Sequence, residues 1–373
     1  MSGTSLDGID GVLVVINSDN QHRQLHVEQY AFCPFDEQFR HQLMALNTPG
    51  NNELHTAALA GNHLARLYSQ VCTQLLKQAQ RPASDIVAIG AHGQTVRHRP
   101  LEFDADPDHG QPAVGYTIQL NNPALLAELS GIDVVADFRT RDLAAGGQGA
   151  PLVPAFHREI FAASGRTVAV LNIGGISNLS VLKAHGDVIG FDCGPGNALM
   201  DFWCQQHTGQ AFDRDGAWAA TGKVNGGLLE SLMREPFLLT APPKSTGRDL
   251  FNPLWLAGHL SSHPHAAPAD VQATLCEYTA LACANDLQRH AADALQLTVC
   301  GGGALNLFLM QRLTALLPKV SVQTSEVQGL PPLQVEAAAF AWLAFKAVHR
   351  ETASLKSVTG AQGARVLGAI YPR

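Results

Sequence analysis

The sequence predicts an α/β protein of two domains whose sheets are partly parallel. The chain has 373 residues, which is more than one ordinary hydrophobic core organises. Short apolar runs end in glycine-rich turns, and segments with helical periodicity lie between them. Alternation of this kind is typical of α/β folds.

Short apolar segments that end at turn residues are predicted to be strands. They cover 11–16, 85–93, 116–120, 132–138, 167–175, 176–182, 188–194, 295–303 and 320–324. Longer segments repeat apolar residues at helical spacing and are predicted to be helices. They cover 53–80, 269–292, 304–317 and 334–348.

The glycine-rich stretch RDLAAGGQGAPLVP (141–154) marks a change of composition, and it suggests a domain boundary nearby. We expect an N-terminal domain over 1–135 and a C-terminal domain over 136–354. Residues 355–373 are expected to pack back on the N-terminal domain. The acidic, turn-rich stretch 102–112 is predicted to be a surface loop.

Composition excludes several classes of protein. Acidic residues outnumber basic ones by 32 to 25, and no Lys/Arg cluster offers a path for a nucleic-acid backbone. No apolar run approaches the roughly 20 residues of a membrane span. Seven scattered cysteines form no CxxC pair, which favours reduced thiols and a cytoplasmic protein. The sequence does not determine the oligomeric state, and a homodimer stays open.

Three strand-to-glycine junctions favour a nucleotide as ligand. They are MSGTSLDGID (1–10), LNIGGISNLS (171–180) and CGGGALN (300–306). Glycine lets backbone amides approach an anion without an intervening Cβ. Any one of these junctions alone is more simply a tight turn. The signatures GxxxxGK[ST], GxGxxG, GxSxG and HExxH are all absent.

Asp192, in GFDCGPGNALMD (190–201), is the best candidate for chemistry. It ends an apolar strand and precedes a helix start at Asn197. A carboxylate there could take the proton from an attacking oxygen. The alternative is an aspartate that only shapes the turn.

Polar segments elsewhere suit recognition of a sugar or an anion. HGQTVRHRP (92–100) follows a strand, and Arg139, Arg141 and Asp142 precede the glycine run GGQG (146–149). These arginines could clamp an anionic substrate, or they could form surface ion pairs. KSTGRD (244–249) has no role that the sequence alone assigns.

Taken in order, these motifs resemble the anhydro-N-acetylmuramic acid kinases over essentially the whole chain. Further segments that carry the resemblance are FDRDGAWAATG (212–222), KSTGRDLFN (244–252) and VTGAQGARVLGAIYP (358–372). The resemblance implies the two-domain actin-like ATPase fold of hexokinase, actin and the heat-shock ATPases, with an interdomain cleft.

The resemblance also implies a reaction. Water opens 1,6-anhydro-N-acetylmuramic acid, and ATP with Mg²⁺ phosphorylates O6, giving N-acetylmuramic acid 6-phosphate and ADP in cell-wall recycling. O6 is locked in the anhydro bridge and carries no proton, so a base must activate water at C1 instead.

The resemblance assigns roles to residues of this sequence. Asp192 is the base, and Arg141 and Glu336 lie at the sugar, although Arg139 could replace Arg141 and Glu336 could cap a helix. Magnesium ligands are not readable from the sequence. The residues expected to bind ATP are Gly3, Thr4, Ser5, Leu6, Asp7, Gly8, Ile9, Asp10, Asn172, Gly174, Gly175, Gly301, Gly302 and Gly303.

The family has a short apolar strand before the turn that MSGTSLDG matches. We therefore expect about eight residues of apolar strand to precede Met1. Without it, the loop would be anchored on one side only.

Two other functions remain open at the level of sequence. A nucleotide-independent anhydro-sugar hydrolase would use Asp192 with a second carboxylate, but it has no need of three glycine turns. An ATP-driven chaperone or actin-like module would need the turns but not HGQT or FRTRD.

Overall fold

A computed structural model describes residues 1–3, 5–19, 22–100, 114–247 and 250–373. Thr4 and the acidic stretch 102–112 lie outside the described residues. The chain divides into two compact units, the first comprising Met1–Ile160 with Gln334–Arg373 and the second Phe161–Leu333. The predicted α/β class with two units is confirmed.

The first unit contains the N-terminal half of the chain and its last forty residues. Its strands are β1 (Gly8–Asp19), β2 (His22–Pro34), β3 (Ile89–Gly90), β4 (Gln94–Arg99), β5 (Tyr116–Leu120), β6 (Val134–Ala136) and β12 (Ala369–Tyr371). Its helices are α1 (Glu37–Ala45), α2 (Glu53–Ala79), α3 (Pro123–Ser130), α4 (Thr140–Ala144), most of α5 (Val153–Phe161), α11 (Val335–Val348) and α12 (Lys356–Thr359).

Strand pairing in this unit is divided among small sheets. β1 and β2 form an antiparallel hairpin, and β4 pairs antiparallel with β5. β6 pairs parallel with β3 and antiparallel with β12. α2 packs against β1 and β2, whereas α11 packs against β1, β3 and β6.

The second unit is built around one mixed sheet. Its strands are β7 (Val168–Ile173), β8 (Ile176–Leu182), β9 (Val188–Pro195), β10 (Gln296–Cys300) and β11 (Ser321–Thr324). Their order across the sheet is β11-β10-β7-β8-β9. β10 pairs parallel with β11 and with β7, whereas β8 pairs antiparallel with β7 and with β9. Its helices are α6 (Ala198–Thr208), α7 (Gly226–Met233), α8 (Pro253–Leu260), α9 (Pro268–His290) and α10 (Leu307–Leu316).

Helix α9 lies at the centre of the second unit because it contacts β8, β9, α6, α7 and α10. Residues around its whole circumference are buried, among them Val271, Cys276 and Leu287. A helix that is buried on every side lies inside a core rather than on its surface.

The predicted secondary structure agrees with the observed elements along most of the chain. Each predicted strand overlaps an observed one, and the four predicted helices correspond to α2, α9, α10 and α11. The segment 85–93 pairs only over Ile89–Gly90. Strands β2, β4 and β12 were not predicted, because polar residues interrupt their apolar pattern.

The observed division of the chain differs from the expected one. A boundary at 135/136 falls within β6, and Val335–Val348 belongs to the first unit because α11 packs against β1, β3 and β6. The C-terminal β12 pairs with β6 of that same unit. Among the helices of the described ranges, none is long and apolar enough to cross a membrane.

Gly90 is the position where β3 and α11 come closest. A Cβ built on Gly90 would overlap the carbonyl oxygen of Phe340 and lie 3.1 Å from the Ala344 Cβ. We expect Gly90→Ala to lower the free energy of unfolding by about 1–3 kcal/mol, because the helix must shift away from the strand. Urea denaturation of the purified variants measures the loss.

Gly50→Ala is the matched control in the same unit. No atom lies within 4 Å of a Cβ at Gly50, and its φ is not in the left-handed region. Its stability should therefore stay within about 1 kcal/mol of the wild type. Equal stability of the two variants would contradict the close approach at Gly90.

Candidate active site

The first glycine turn leads directly into β1 in the first unit. The Leu6 amide donates to the Gly3 carbonyl at 3.3 Å, and Leu6 has a φ of 58°. The Ser5 hydroxyl donates to Asp7 Oδ1 at 2.6 Å. Gly8, Ile9 and Asp10 already belong to β1, so the loop itself is shorter than the motif.

Gln94 on β4 attaches this loop to the body of the first unit. Its side-chain Nε2 donates to the Gly3 carbonyl at 3.1 Å. Its Oε1 is buried and has no hydrogen-bond partner among the described residues. The HGQT motif therefore supports the glycine loop directly.

Acidic side chains of the first unit influence one another near the start of β1. Burial raises the pKa of Glu336, and the negative charge of Asp10 raises it further, while Arg139 opposes the shift. Burial also raises the pKa of Asp10, against a hydrogen bond of 2.7 Å that the Tyr30 hydroxyl donates to Oδ1. Asp10 and Glu336 are therefore brought together, although they are 326 positions apart in the sequence (336 − 10).

Glu336 lies in the first turn of α11, but it is not the residue that precedes the helix. The N-cap position is Gln334, and its side chain makes no capping hydrogen bond. The capping role that the sequence left open for Glu336 is therefore not seen.

Arg139 is held by the HGQT segment. Its Nε and a terminal nitrogen lie 3.1 and 2.9 Å from His92 Nε2, and the other terminal nitrogen donates to the Gly149 carbonyl at 2.8 Å. His92 Nδ1 lies 2.6 Å from the Gly93 carbonyl. Burial, and then the charge of Arg139, hold the pKa of His92 well below its usual value. A neutral His92 that donates from Nδ1 and accepts at Nε2 satisfies both contacts.

Arg141 differs from Arg139 and from Arg97 in the surroundings of its guanidinium group. Arg97 forms an ion pair of 2.8 Å with Glu53. Arg141 is exposed on α4, and no ion-pair partner for it is found among the described residues. Of these three arginines, Arg141 is thus the one whose guanidinium is available for an external anion.

The segment that carries Arg141 is fastened by the buried carboxylate of Asp142, which the sequence grouped with Arg139 and Arg141 without predicting its contacts. Asp142 accepts hydrogen bonds from the Gly149 amide at 2.8 Å and from the Thr359 hydroxyl at 2.9 Å. Burial raises the pKa of Asp142, and these two hydrogen bonds lower it. The glycine-rich stretch is therefore tied to the C-terminal VTG motif, and this contact cannot be inferred from sequence spacing.

In the second unit, the other two glycine turns converge at one edge of the sheet. β7 and β10 are parallel, and Asn172 and Cys300 are opposite each other at their carboxyl ends. A Cβ on Gly301 would overlap Asn172 Oδ1 and lie 2.7 Å from the Ile173 carbonyl oxygen. A Cβ on Gly303 would overlap the Ile173 side chain. These glycines are needed for close packing of the two turns.

The start of α6 is closed by the first of these turns. The amides of Asn197 and Ala198 donate to the carbonyls of Gly174 and Gly175, at 2.8 and 3.2 Å. The Gly196 amide also donates to Gly175, at 2.9 Å. The turn therefore satisfies the first amides at the start of α6, those of Asn197 and Ala198.

Asp192 is half-buried on β9, opposite Asn178 of β8. Its amide donates to the Lys244 carbonyl at 3.1 Å, and its Oδ2 accepts from the Thr246 amide at 2.9 Å. One backbone contact from KSTGRD therefore holds the strand at Asp192, and the other orients its carboxylate. This gives the segment the role that the sequence alone did not reveal.

The KSTGRD segment is anchored through Lys244. Its ammonium forms an ion pair of 3.0 Å with Asp286 of α9, and the two side chains are 1% and 2% exposed. The ammonium also lies 4.9 Å from the ring centre of Phe237 and 5.5 Å from that of Phe191. Arg289 adds a longer contact of 3.4 Å to the same carboxylate.

Each unit thus gathers part of the predicted site. The first contains the N-terminal loop, Asp10, Arg141 and Glu336, and the second contains Asn172, Gly174, Gly175, Asp192 and Gly301–Gly303. Among the described residues, no group of three His, Cys, Asp or Glu side chains is arranged to hold a metal ion.

Comparison with known proteins gives matches over the whole chain. A family model described as anhydro-N-acetylmuramic acid kinase matches residues 1–373. The chain is 64% identical over 377 residues to the anhydro-N-acetylmuramic acid kinase of Variovorax paradoxus (strain S110), covering 100% of this chain and 97% of that protein. It is 56% identical over 393 residues to the protein of that name from Albidiferax ferrireducens, covering 100% and 98%.

Solved structures match more weakly. The activator of the 2-hydroxyisocaproyl-CoA dehydratase from Clostridium difficile, with bound ADPNP, gives a TM-score of 0.37 at 12% identity, covering 64% of this chain and 87% of that one. The ethanolamine utilization protein EutJ from Carboxydothermus hydrogenoformans gives 0.29 at 13% identity, covering 58% and 57%.

The buried Lys244–Asp286 pair leads to a stability prediction. We expect Lys244→Met to lower the free energy of unfolding by about 3–5 kcal/mol, because the Asp286 carboxylate stays buried without its main partner. The double variant Lys244→Met/Asp286→Leu removes both charges and should recover most of that loss. Denaturant titration measures both, and a double variant no more stable than the single one would contradict the prediction.

Proposed function

Because the chain belongs to the anhydro-N-acetylmuramic acid kinase family, we propose that it opens 1,6-anhydro-N-acetylmuramic acid with water and phosphorylates O6 with ATP. Membership confirms the resemblance seen in the motifs, and it makes the chain a kinase rather than a hydrolase or a chaperone-like module. The products are N-acetylmuramic acid 6-phosphate and ADP. ATP as a substrate and a cell-wall sugar fragment suit a cytoplasmic enzyme of murein recycling.

The orientation of Asp192 is the observation that carries the proposal. The Thr246 amide holds Oδ2 at 2.9 Å, so the carboxylate has one fixed direction at the end of an apolar strand. In the proposed reaction this carboxylate takes a proton from water as the water oxygen bonds to C1. The C1–O6 bond breaks, and its electron pair stays on O6.

O6 then attacks the γ-phosphorus of ATP, and ADP leaves. The ring opening therefore generates the nucleophile for phosphoryl transfer, and no separate base is needed to deprotonate a hydroxyl. Water adds its hydroxyl to C1 and its proton to Asp192, which returns that proton to solvent. One sugar, one water and one ATP give one sugar phosphate, one ADP and one proton.

The glycine turns suit the nucleotide. In the second unit, Gly301 and Gly303 come so close to β7 that a Cβ would overlap it. Because residues 301–303 are all glycine, no side chain keeps a ligand away from their backbone. We assign 301–303 to the adenosine and Asn172 with Gly174 and Gly175 to the phosphates. In the first unit, we assign the continuous segment Gly3–Asp10, which includes Thr4, to the phosphates as well.

Mg²⁺ would neutralise charge on the phosphate oxygens. The described side chains form no dedicated metal cage, which fits an ion held mainly by phosphates and water with few carboxylates. Asp7 and Asp10 are the acidic residues of the N-terminal motif that could contribute.

Arg141 and Glu336 are assigned to the sugar. Arg141 is exposed on α4, and the lactyl carboxylate is the anionic group that distinguishes this sugar from its glucosamine counterpart. Burial raises the pKa of Glu336, and its carboxyl oxygens can accept hydrogen bonds from sugar hydroxyls.

Asp192→Asn tests the base. We expect kcat to fall about a thousandfold or more while nucleotide binding changes less than about twofold, because the amide accepts no proton from water. Coupled detection of ADP release gives kcat, and calorimetry gives the nucleotide Kd. The control is Asp187→Asn, an exposed aspartate of the same unit, which should keep wild-type kcat; near-wild-type turnover of Asp192→Asn would rule out the base.

Arg141→Gln tests sugar recognition. We expect KM for 1,6-anhydro-N-acetylmuramic acid to rise about tenfold, which corresponds to about 1.4 kcal/mol of binding free energy. The melting temperature should stay unchanged. The variant should not change KM for the anhydro-glucosamine sugar, because that substrate lacks the lactyl carboxylate. Equal losses for both sugars would show that Arg141 does not recognise this group.

A further inference from the structure

Three polar side chains form one row across the sheet of the second unit. Asn172 on β7 is paired with Asn178 on β8, and Asn178 is paired with Asp192 on β9. Residues directly opposite each other in an antiparallel sheet point to the same face, with their Cβ atoms about 5 Å apart. The row therefore crosses the sheet near the carboxyl ends of β7 and β9, beside the glycine turn at Gly174 and Gly175.

A β-bulge places Asp192 in this row. The register of β8 and β9 shifts, because Ser177 is paired with Gly194 and Asn178 with Asp192. Cys193 is the extra residue of β9 that this shift leaves without an opposite residue on β8. A regular ladder continued from the Ser177–Gly194 pair would bring Cys193 opposite Asn178 and turn Asp192 to the other face. The bulge therefore brings a carboxylate beside Asn178 in place of a thiol.

The two outer side chains of the row are held from its two ends. Asn172 is buried, and its Oδ1 lies 3.8 Å from the Sγ of Cys300 on β10. At the other end, Asp192 Oδ2 accepts the Thr246 amide at 2.9 Å. Neither contact involves Asn178, which lies between them.

Asn178 contributes a side-chain amide that is available to a ligand. The side chain is half-buried, and within the part of the chain that the structure describes it has no hydrogen-bond partner. A carboxamide offers two N–H donors and one oxygen acceptor. Shielding such a group from water without a partner costs stability, and this favours a role toward a ligand. Asn178 belongs to the motif LNIGGISNLS but has so far been given no role.

The proposed reaction runs along the direction of this row. Asp192 activates water at C1, and Asn172 with Gly174 and Gly175 is assigned to the phosphates. Neighbouring strands lie about 4.8 Å apart, so about 10 Å separates β7 from β9. Reacting atoms approach to about 3–3.5 Å before a bond forms, so the water, C1, O6 and the γ-phosphorus fit within that length. O6, near the middle of this series, then lies beside Asn178.

We propose that Asn178 is a catalytic residue whose Nδ2 donates a hydrogen bond to O6 as the anhydro bridge opens, an inference that rests on the proposed function. When the C1–O6 bond breaks, its electron pair stays on O6, which then bonds to the γ-phosphorus while ADP leaves. A fixed donor stabilises the charge that develops on O6. The amide keeps its own proton, so O6 remains a nucleophile.

Asn178→Ala tests this hydrogen bond. We expect kcat to fall about a hundredfold to a thousandfold, because one donor to the developing charge is lost. The nucleotide Kd and the melting temperature should stay close to those of the wild type. Coupled detection of ADP release gives kcat, and calorimetry gives the other two quantities. A kcat within about threefold of the wild type would overturn the proposal.

The pH dependence of kcat separates an action on O6 from an action on the base. The acidic limb of the profile, which follows ionisation of Asp192, should not move in Asn178→Ala. In Asn178→Asp it should move to higher pH, because a second carboxylate opposes ionisation of its neighbour, and kcat should fall because a carboxylate donates no hydrogen bond. A limb that moves in Asn178→Ala would mean that Asn178 acts through Asp192 and not on O6. A limb that stays in place in Asn178→Asp would contradict the row itself.

Gln206→Glu is the matched control for the change of charge. Gln206 is exposed on α6 of the same unit, and this variant also exchanges an amide for a carboxylate. Its kcat and pH profile should be those of the wild type. The wild-type chain separates the two proposals. If it releases no ADP with 1,6-anhydro-N-acetylmuramic acid, the proposed function is wrong and the role of Asn178 with it. If it is active and Asn178→Ala is equally active, only the role of Asn178 is wrong.

Discussion

The orientation of the Asp192 carboxylate in the second unit depends on the contact between β9 and the segment 244–246. Asp192 donates its amide to Lys244 and accepts the Thr246 amide at Oδ2. Lys244 is in turn held by a buried ion pair with Asp286 of α9. The direction of the Asp192 carboxylate thus depends on a segment that a charge pair anchors in the core.

This arrangement explains why a lysine is buried in an otherwise apolar region. Transferring an ammonium from water is costly unless a partner and favourable contacts compensate. Asp286 supplies the opposite charge, and the rings of Phe191 and Phe237 lie within cation–π distance. Removing both charges together is therefore expected to cost far less stability than removing Lys244 alone.

The two units use polar groups differently. In the second, glycine turns pack so closely that a Cβ at Gly301 or Gly303 would overlap β7, and the amides of Asn197 and Ala198 donate to one of these turns. In the first, side chains hold the loops: Gln94 binds Gly3, and Arg139 binds His92 and Gly149.

The sequence by itself determined the α/β class, the long helices, the family and the position of Asp192, because these depend on local periodicity and on contiguous motifs. It could not show which of Arg139 and Arg141 is held inside the protein, since the two are only two positions apart. Only the fold brings His92 to Arg139. Nor could it find the contacts of Asp142 with Thr359 or of Lys244 with Asp286, which join residues 217 and 42 positions apart. Such contacts are decided by the tertiary structure, because a buried charge takes whichever partner the packing of the core places beside it.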